Sequence, residues 1–501
     1  MNSPLANPQN KKIYTSYRWY RSILGYLPIL LVGAWLVFQS LSLTTLDQGD
    51  YSRAISPFLS GPADGGEYRH WEKPTMEWQF RNPFALSKID NSASLYFTLH
   101  AYAQHWVRDS FSLPLLGIFS KLITLVLLTI LAKRIATTCA WGLLGTNLIA
   151  IGLAIAYFMA HNVYLLNSLY QEHVFWLGLP VLLTGLLDRS PGRSAAWIIV
   201  GATICGAAKT QFFYIPLFTL IIKVLWSWWQ GQAPNKTLIL GLLTAQIICA
   251  IPLLNNPYRA LNFYHATYYG SYILASPQTQ ERLAITPQTQ RCIGSDRWGM
   301  VLAGKEGNEV GPSISSCFDE VHLSTIDVLR PYILEPSLLW KMWRFSKPAL
   351  WTAKPFHNLP THPYIITPQG LDAQGQAYPF PKDQVLLGYS SWREEHLTQR
   401  VQSISLLVLL VAAALAYWRL LGSLPMVMVF LTALLWSQIA IALMGEGFRD
   451  LGKHYAAAQL CFDLLVALLA ISVLALVSAF WRKTIAPHLR PDHSNHSNHS
   501  N

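Results

Sequence analysis

Ten apolar runs decide what this chain can fold into. They occupy residues 22–43, 114–132, 141–160, 174–187, 195–209, 212–229, 237–255, 402–418, 424–443 and 456–480. Crossing the hydrocarbon core of a bilayer as a helix takes about 20 apolar residues, within a range of roughly 17 to 25. A helix satisfies its backbone hydrogen bonds within one segment, which lipid cannot do for it. The expectation is an all-α polytopic membrane protein with about ten transmembrane helices. The runs 174–187 and 195–209 are short, as in tilted or partly re-entrant segments, and Lys209 and Gln211 can also be read as a polar interruption in one longer helix. Charge agrees with lipid as the solvent, because 13% of residues are charged where a soluble chain carries roughly a quarter.

The net charge of +11 does not point to nucleic acid, since the cations collect beside the apolar runs. Lys11, Lys12, Arg18, Arg21, Lys133, Arg134, Arg189, Arg193, Lys236, Arg419, Arg482 and Lys483 fall on one set of ends, against Lys209, Arg449 and Lys453 in the short loops of the other. Positive flanks stay in the cytoplasm, so ten spans put both termini there. The first run is too long for a cleavable signal and is followed by no small-residue cleavage site, so it reads as a retained span. The outer side then receives two long loops, 44–113 and 256–401. The division is an N-terminal transmembrane module (1–255), a small outer loop domain (256–401), C-terminal transmembrane helices (402–484) and a disordered polar tail (485–501) ending in "HSNHSNHSN". In the first loop, "SLYFTLHAYAQHWVRDSF" (94–111) has the periodicity of an amphipathic helix lying on the membrane surface.

Four polar constellations fall on the outer side. "LTTLDQGDYSRAISPFL" places Asp47 and Asp50 where the first span emerges. Asp suits a helix start, so one of the two can be a cap. The other, shielded from bulk water, suits a general base. "NSLYQEHVFW" sets Tyr170, Glu172 and His173 immediately before a span, where a carboxylate is costly unless it meets water, a cation or a polar ligand. Lys209 stands alone among apolar residues, reading either as a lysine snorkelling to headgroups or as one aimed at a phosphate. "MGEGFRDLGKHYAAAQLCFDLL" gathers Glu446, Arg449, Asp450, Lys453 and His454 before the last span, with Asp463 inside it. Arg449 and Lys453 are four apart and would share a helix face, a pattern suited to gripping phosphate. Cys292 and Cys317 lie in the second long loop and can pair if that loop faces an oxidising compartment. No P-loop, metal-spaced Cys/His set or nucleophile elbow is present.

The chain resembles the GT-C superfamily of integral-membrane glycosyltransferases, and within it bacterial glycan-biosynthesis hexose transferases. Three stretches carry the resemblance: "LDQGDYSRAISPFL" after the first span, "YLLNSLYQEHVFW" in the second outer loop and "GEGFRDLGKHYAAAQLCFDLL" before the last span. The resemblance implies an inverting transfer of a hexose from a polyprenyl-phosphate donor to an envelope glycan or lipid-linked acceptor, at the periplasmic face of a bacterial inner membrane. It implies Asp50 as base with Asp47 as its neighbour or alternate, and Glu172 and His173 orienting the acceptor or a cation. Lys209, Arg449, Lys453 and His454 would bind the donor phosphate, with Asp450, Asp463 and Tyr170 in supporting roles. A divalent cation, Mg or Mn, between Asp47, Asp50 and Glu172 is compatible with this but not required; partners would be donor, acceptor and membrane lipids, not nucleic acid. A lipid flippase or transporter, and an O-antigen-type polymerase or ligase, remain open beside it.

Overall fold

The computed structural model describes residues 25–47, 50–65, 73–254, 256–297, 317–350, 365, 367–370, 378–380, 384–397 and 400–484. The expectations placed on Lys11, Lys12, Arg18, Arg21 and the 485–501 tail lie outside the described residues. In chain order the first half forms α1 (Leu27–Gln39), α2 (Ser52–Ile55), β1 (Leu59–Pro62), β2 (Glu77–Phe80), α3 (Ser92–His105), β3 (Ser110–Ser112), α4 (Leu113–Thr138), α5 (Leu143–Phe158), α6 (Ala160–Val163), α7 (Glu172–Leu187), α8 (Pro191–Gly206), α9 (Ile215–Trp229) and α10 (Lys236–Leu254). The second half adds α11 (Arg259–Ala266), shorter helical segments through Leu350, then α12 (Val385–Leu397), α13 (Val401–Tyr417), α14 (Leu424–Glu446), α15 (Leu451–His454) and α16 (Ala456–Thr484).

Each apolar run is one helix, but the ten are unequal. Among the described residues five are long and apolar enough to cross a bilayer: α4, Thr210–Trp229 ending in α9, α10, α14 and α16. Two bent pairs bring the number to seven, α5 with Ala160–Asn167 at 70° and α12 with α13 at 85°. α1, α7 and α8 are shorter, at 13, 16 and 16 residues. The molecule is a multi-pass, all-α membrane protein. Lys209 sits at a true break, since α8 stops at Gly206 and α9 begins at Ile215. Proline in the first turn opens α1, α4, α8, α9 and α14, where its missing N–H costs no helical bond.

The short α7 is the centre of the bundle, with every residue from Glu172 to Leu187 buried. It never meets lipid, so it does not need a lipid-spanning length. α8 packs closely along it because Gly201 lets the backbones approach; a Cβ there would lie 2.4 Å from the Leu182 amide nitrogen. The first long loop departs from an all-helical expectation. Its β1, β2 and β3 form a three-stranded antiparallel sheet in that order, with Trp78 opposite Phe111. The amphipathic helix expected over 94–111 is α3, which ends at His105 and hands Ser110–Ser112 to the sheet. α3 buries Phe97, Thr98 and Ala101 while Leu95, Leu99 and Tyr102 remain exposed. In the second long loop Cys292 and Cys317 form a disulfide with Cα atoms 5.8 Å apart.

Candidate functional site

Helix directions alternate so that the segments before α2, α7, α9 and α15 all meet at one end of the bundle. At that end Asp47 acts as a cap: its Oδ1 accepts the backbone N–H of Asp50 at 2.9 Å and of Tyr51 at 3.1 Å. This fixes the turn into α2 and leaves the Asp50 side chain for other partners. Asp50 pairs with Lys453 through Oδ2 and with Arg53 through Oδ1, the latter at 3.2 Å. Arg53 in turn stacks over the Tyr258 ring, 3.8 Å from its centroid. Lys453 is buried, lies 5.2 Å from the Tyr170 ring centroid and has Asp450 at 3.9 Å as a second acid. Tyr170 is held under it by an O–H donated to the Leu46 carbonyl at 2.9 Å.

A second row of contacts lies alongside. Lys209 Nζ is 2.7 Å from Glu172 Oε1 and 3.4 Å from His454 Nδ1. His454 Nε2 faces Glu446 Oε2 at 2.7 Å, and its Nδ1 lies 3.2 Å from Gln211 Oε1. Arg449 pairs with Asp296 from the disulfide-bonded loop and lies 3.6 Å from Asp450. Five carboxylates (Asp50, Glu172, Asp296, Glu446, Asp450) thus share four permanent cations (Arg53, Lys209, Arg449, Lys453). Buried charges are tolerated only in such mutual arrangements.

The turn that presents Arg449 and Lys453 has a local cause. Gly447 ends α14 at φ +61, and a Cβ there would sit 2.3 Å from the His265 carbonyl oxygen. Phe448 N–H then donates to the Tyr269 carbonyl at 2.9 Å, and Asp450 takes a left-handed conformation at φ 48. α15 begins only at Leu451, so Arg449 and Lys453 do not share a helix face as their spacing suggests; the turn aims them at different acids. Burial raises the proton affinity of Asp50, but the neighbouring Lys453 and Arg53 outweigh it and hold the carboxyl well below its ordinary value. Burial works against a charged Lys453 too, and Asp50 and Asp450 overcome it, raising the ammonium above the usual lysine range. Burial, helped by Arg449, lowers His265 to about 3, so it is neutral at any physiological pH.

Two expected members stand apart. His173 turns away: its Nδ1 lies 3.0 Å from the Ser168 carbonyl and its Nε2 2.7 Å from Ser120 Oγ. Asp463 anchors a different cluster. One carboxylate oxygen accepts from Arg393 Nε at 2.6 Å, the other from His161 Nε2 and Asn162 Nδ2, both at 2.8 Å. Among the described residues no group of three acids, histidines or cysteines is arranged to hold a metal ion. Asp50 and Glu172 instead face lysine amines, and Asp47 is spent on a cap, so the divalent-cation arrangement does not fit these residues.

Sequence reasoning grouped Glu446 with the cations before the last span but gave it no role, and it did not select Asp296, Arg53, His161, Asn162 or Arg393. Asp296 lies in a loop and Arg393 in α12, both in stretches of ordinary composition that give no signal. His161 and Asn162 do, as a polar pair within the apolar run "AIAYFMAHNVYLL". Beside α2 lies a cavity of about 530 Å³ lined by Ser52, Ser56, Trp78, Gln79 and Arg81; Asp50 is not among its lining residues.

Among known proteins, the family model described as the YfdI N-terminal transmembrane domain matches residues 10–490. A protein of Escherichia coli (strain K12) described as "Uncharacterized protein YfdI" is 25% identical over 316 residues, which is 59% of this chain and 62% of that protein. The alignment thus spans less than two thirds of the relative's length. No solved structure matches.

Proposed function

The chain belongs to the family of the YfdI N-terminal transmembrane domain, and from its buried charge cluster we propose that it is an inverting glycosyltransferase of GT-C type. It moves a hexose from a polyprenyl-phosphate donor to an envelope glycan or lipid-linked acceptor. The bacterial inner membrane houses it, with both termini cytoplasmic and the charged end periplasmic. The observation that carries this reading is the Asp50–Lys453 pair: an acid after the first span and a base before the last, 403 residues apart and drawn together where the helices end.

At rest Asp50 is a weak base, because Lys453 and Arg53 hold its charge. A donor phosphate supplies a competing anion. Lys453 moves to it, with the surplus acid Asp450 3.9 Å away to steady the ammonium, and Asp50 regains proton affinity as its cation leaves. The acceptor hydroxyl gives its proton to Asp50 while its oxygen bonds to the anomeric carbon. The bond from that carbon to the phosphate oxygen breaks, and the polyprenyl phosphate departs with the electron pair. Lys453 and Lys209 stabilise the charge that develops on it. Attack opposite the leaving group inverts the anomeric centre.

The test offers radiolabelled polyprenyl-phosphate sugars, with acceptor extract, to purified protein in nanodiscs. Label should leave the lipid with wild type and not with Asp50→Asn. No release from any donor would remove the proposal. Transport is the second reading, favoured by Asp463, seven residues and roughly 10 Å inside α16, with His161 and Arg393. It requires lipid to change leaflets with its sugar bond intact.

A further inference from the structure

The end of the bundle opposite Asp50 carries a second feature, unrelated to the charge cluster. The α7–α8 and α9–α10 connections and the start of α14 enclose a cavity of about 420 Å³. Its walls include Arg189, Lys223, Arg419, Gln230 and Asn235. One acid, Asp188, also lines it, but Arg134 at 2.9 Å and Arg193 at 3.6 Å already balance that carboxylate. Arg189, Lys223 and Arg419 have no acid within ion-pair distance among the described residues, so the cavity is net positive.

Trp226 and Ala416 line this cavity and also a second one of about 420 Å³, so the two adjoin. The second is almost wholly apolar, walled by Leu225, Trp229, Tyr417 and Val429. Its setting fixes its depth. Trp228, Trp229, Tyr417 and Trp418 are exposed around its mouth, and such rings settle at headgroup level. Lys223 lies six residues before Trp229 in α9, roughly 9 Å deeper. An ammonium at that depth is costly unless it reaches up to the interface or meets an anionic partner.

A cationic chamber that reaches from headgroup level down to Lys223 and adjoins an apolar groove matches one kind of molecule. We infer that the pair is a binding site for a phospholipid with an anionic headgroup, in the leaflet opposite the Asp50 cluster. The phosphate sits among Arg189, Lys223 and Arg419, and one acyl chain lies along Leu225 and Val429. A soluble phosphate would fill the chamber and leave the groove unused; a zwitterionic lipid would fill the groove but bring a headgroup cation up against the three already in the chamber. Both volumes lie in the ordinary range for bound small molecules.

The test uses the purified, delipidated full chain. Thermal stability is followed on titration with phosphatidylglycerol or phosphatidylcholine, and tightly bound lipid is counted by native mass spectrometry. Phosphatidylglycerol should saturate near one molecule per chain and raise the melting temperature more than phosphatidylcholine. The triple variant Arg189→Gln/Lys223→Gln/Arg419→Gln should bind it about a hundredfold more weakly, as expected for three cations near a membrane surface. Should that variant not fold, Ala416→Phe, which fills the junction, should lose the selective response with every cation in place. Equal responses to both lipids, or an undiminished response in a folded variant, would overturn the inference. So would displacement of the lipid by glycerol phosphate, which would make the ligand a soluble anion.

Discussion

Two buried charge clusters, one at the mouth of the bundle and one within it, are built on opposite plans. Around Asp463 a single carboxylate receives three donors from α6 and α12, and each oxygen is fixed by a short contact. Around Asp50 and Lys453 carboxylates outnumber permanent cations, and Lys453 and Lys209 each lie near two partners. A cluster with one arrangement holds helices in place. A cluster with several arrangements of similar energy changes when an anion enters. The difference separates a fold-holding ion pair from one suited to chemistry.

The comparison is most easily broken at Arg393. Arg393→Met leaves Asp463 charged and buried without its cation, and should cost about 3–5 kcal/mol, seen as a fall in melting temperature and in monodisperse yield. Adding Asp463→Leu should recover most of that, since an apolar replacement of a buried pair is often neutral. If the double variant is as unstable as the single, Asp463 is not a structural anchor. Asp50→Asn should behave in the reverse way. Its stability should stay within about 1 kcal/mol of wild type because Lys453 can turn to Asp450, while sugar transfer falls by roughly 10²–10⁴-fold, the usual contribution of a general base. A collapse in stability equal to that of Arg393→Met would make the two clusters alike.

Cys292→Ser with Cys317→Ser removes a covalent tie four residues from Asp296, and typically costs about 2–4 kcal/mol. It should loosen the mouth and leave the Asp463 cluster intact, which hydrogen exchange can read separately. Asp47→Ala should cost about 1 kcal/mol as a lost cap and slow transfer only modestly; a loss as deep as Asp50→Asn would make Asp47 the base. The smallest effect expected is that of pH. The depressed Asp50 contributes fully above the ordinary carboxyl value of about 3.9, and its contribution is lost as pH falls through its folded value. The raised Lys453 contributes fully below the ordinary lysine value of about 10.4, and its contribution is lost as pH rises through its own. The pair's contribution to stability should therefore be flat between about pH 5 and 9, and a step there would show that another group controls the mouth.

The sequence revealed the order of the helices because an apolar run beside a cationic flank is a local signal. Asp50, Glu172, Lys209, Lys453 and His454 were legible for the same reason, as charges where apolar runs end. Which acid meets which base was not legible, because partners such as Asp50 and Lys453 are set by three-dimensional packing 403 residues apart. The break at Lys209 appeared as one of two readings, and packing decided it by stopping α8 at Gly206. The small sheet escaped notice because three strands of three or four residues leave almost no periodicity to find. α7 looked too short for a span for a reason only the fold explains, its complete enclosure by other helices.

The distance in sequence between Asp50 and Lys453 also has a consequence for biosynthesis. A ribosome adding 5–20 residues each second needs roughly 20 to 80 s to make the 403 residues between them. Throughout that interval Asp50 has reached the membrane and its lysine has not been made. Arg53, three residues on and 3.2 Å away, is synthesised with it and can shield it from the start. Glu172 waits only 37 residues for Lys209. The nascent chain thus carries its first counter-charges with it, and the last helix delivers Lys453 to a carboxylate already kept from lipid.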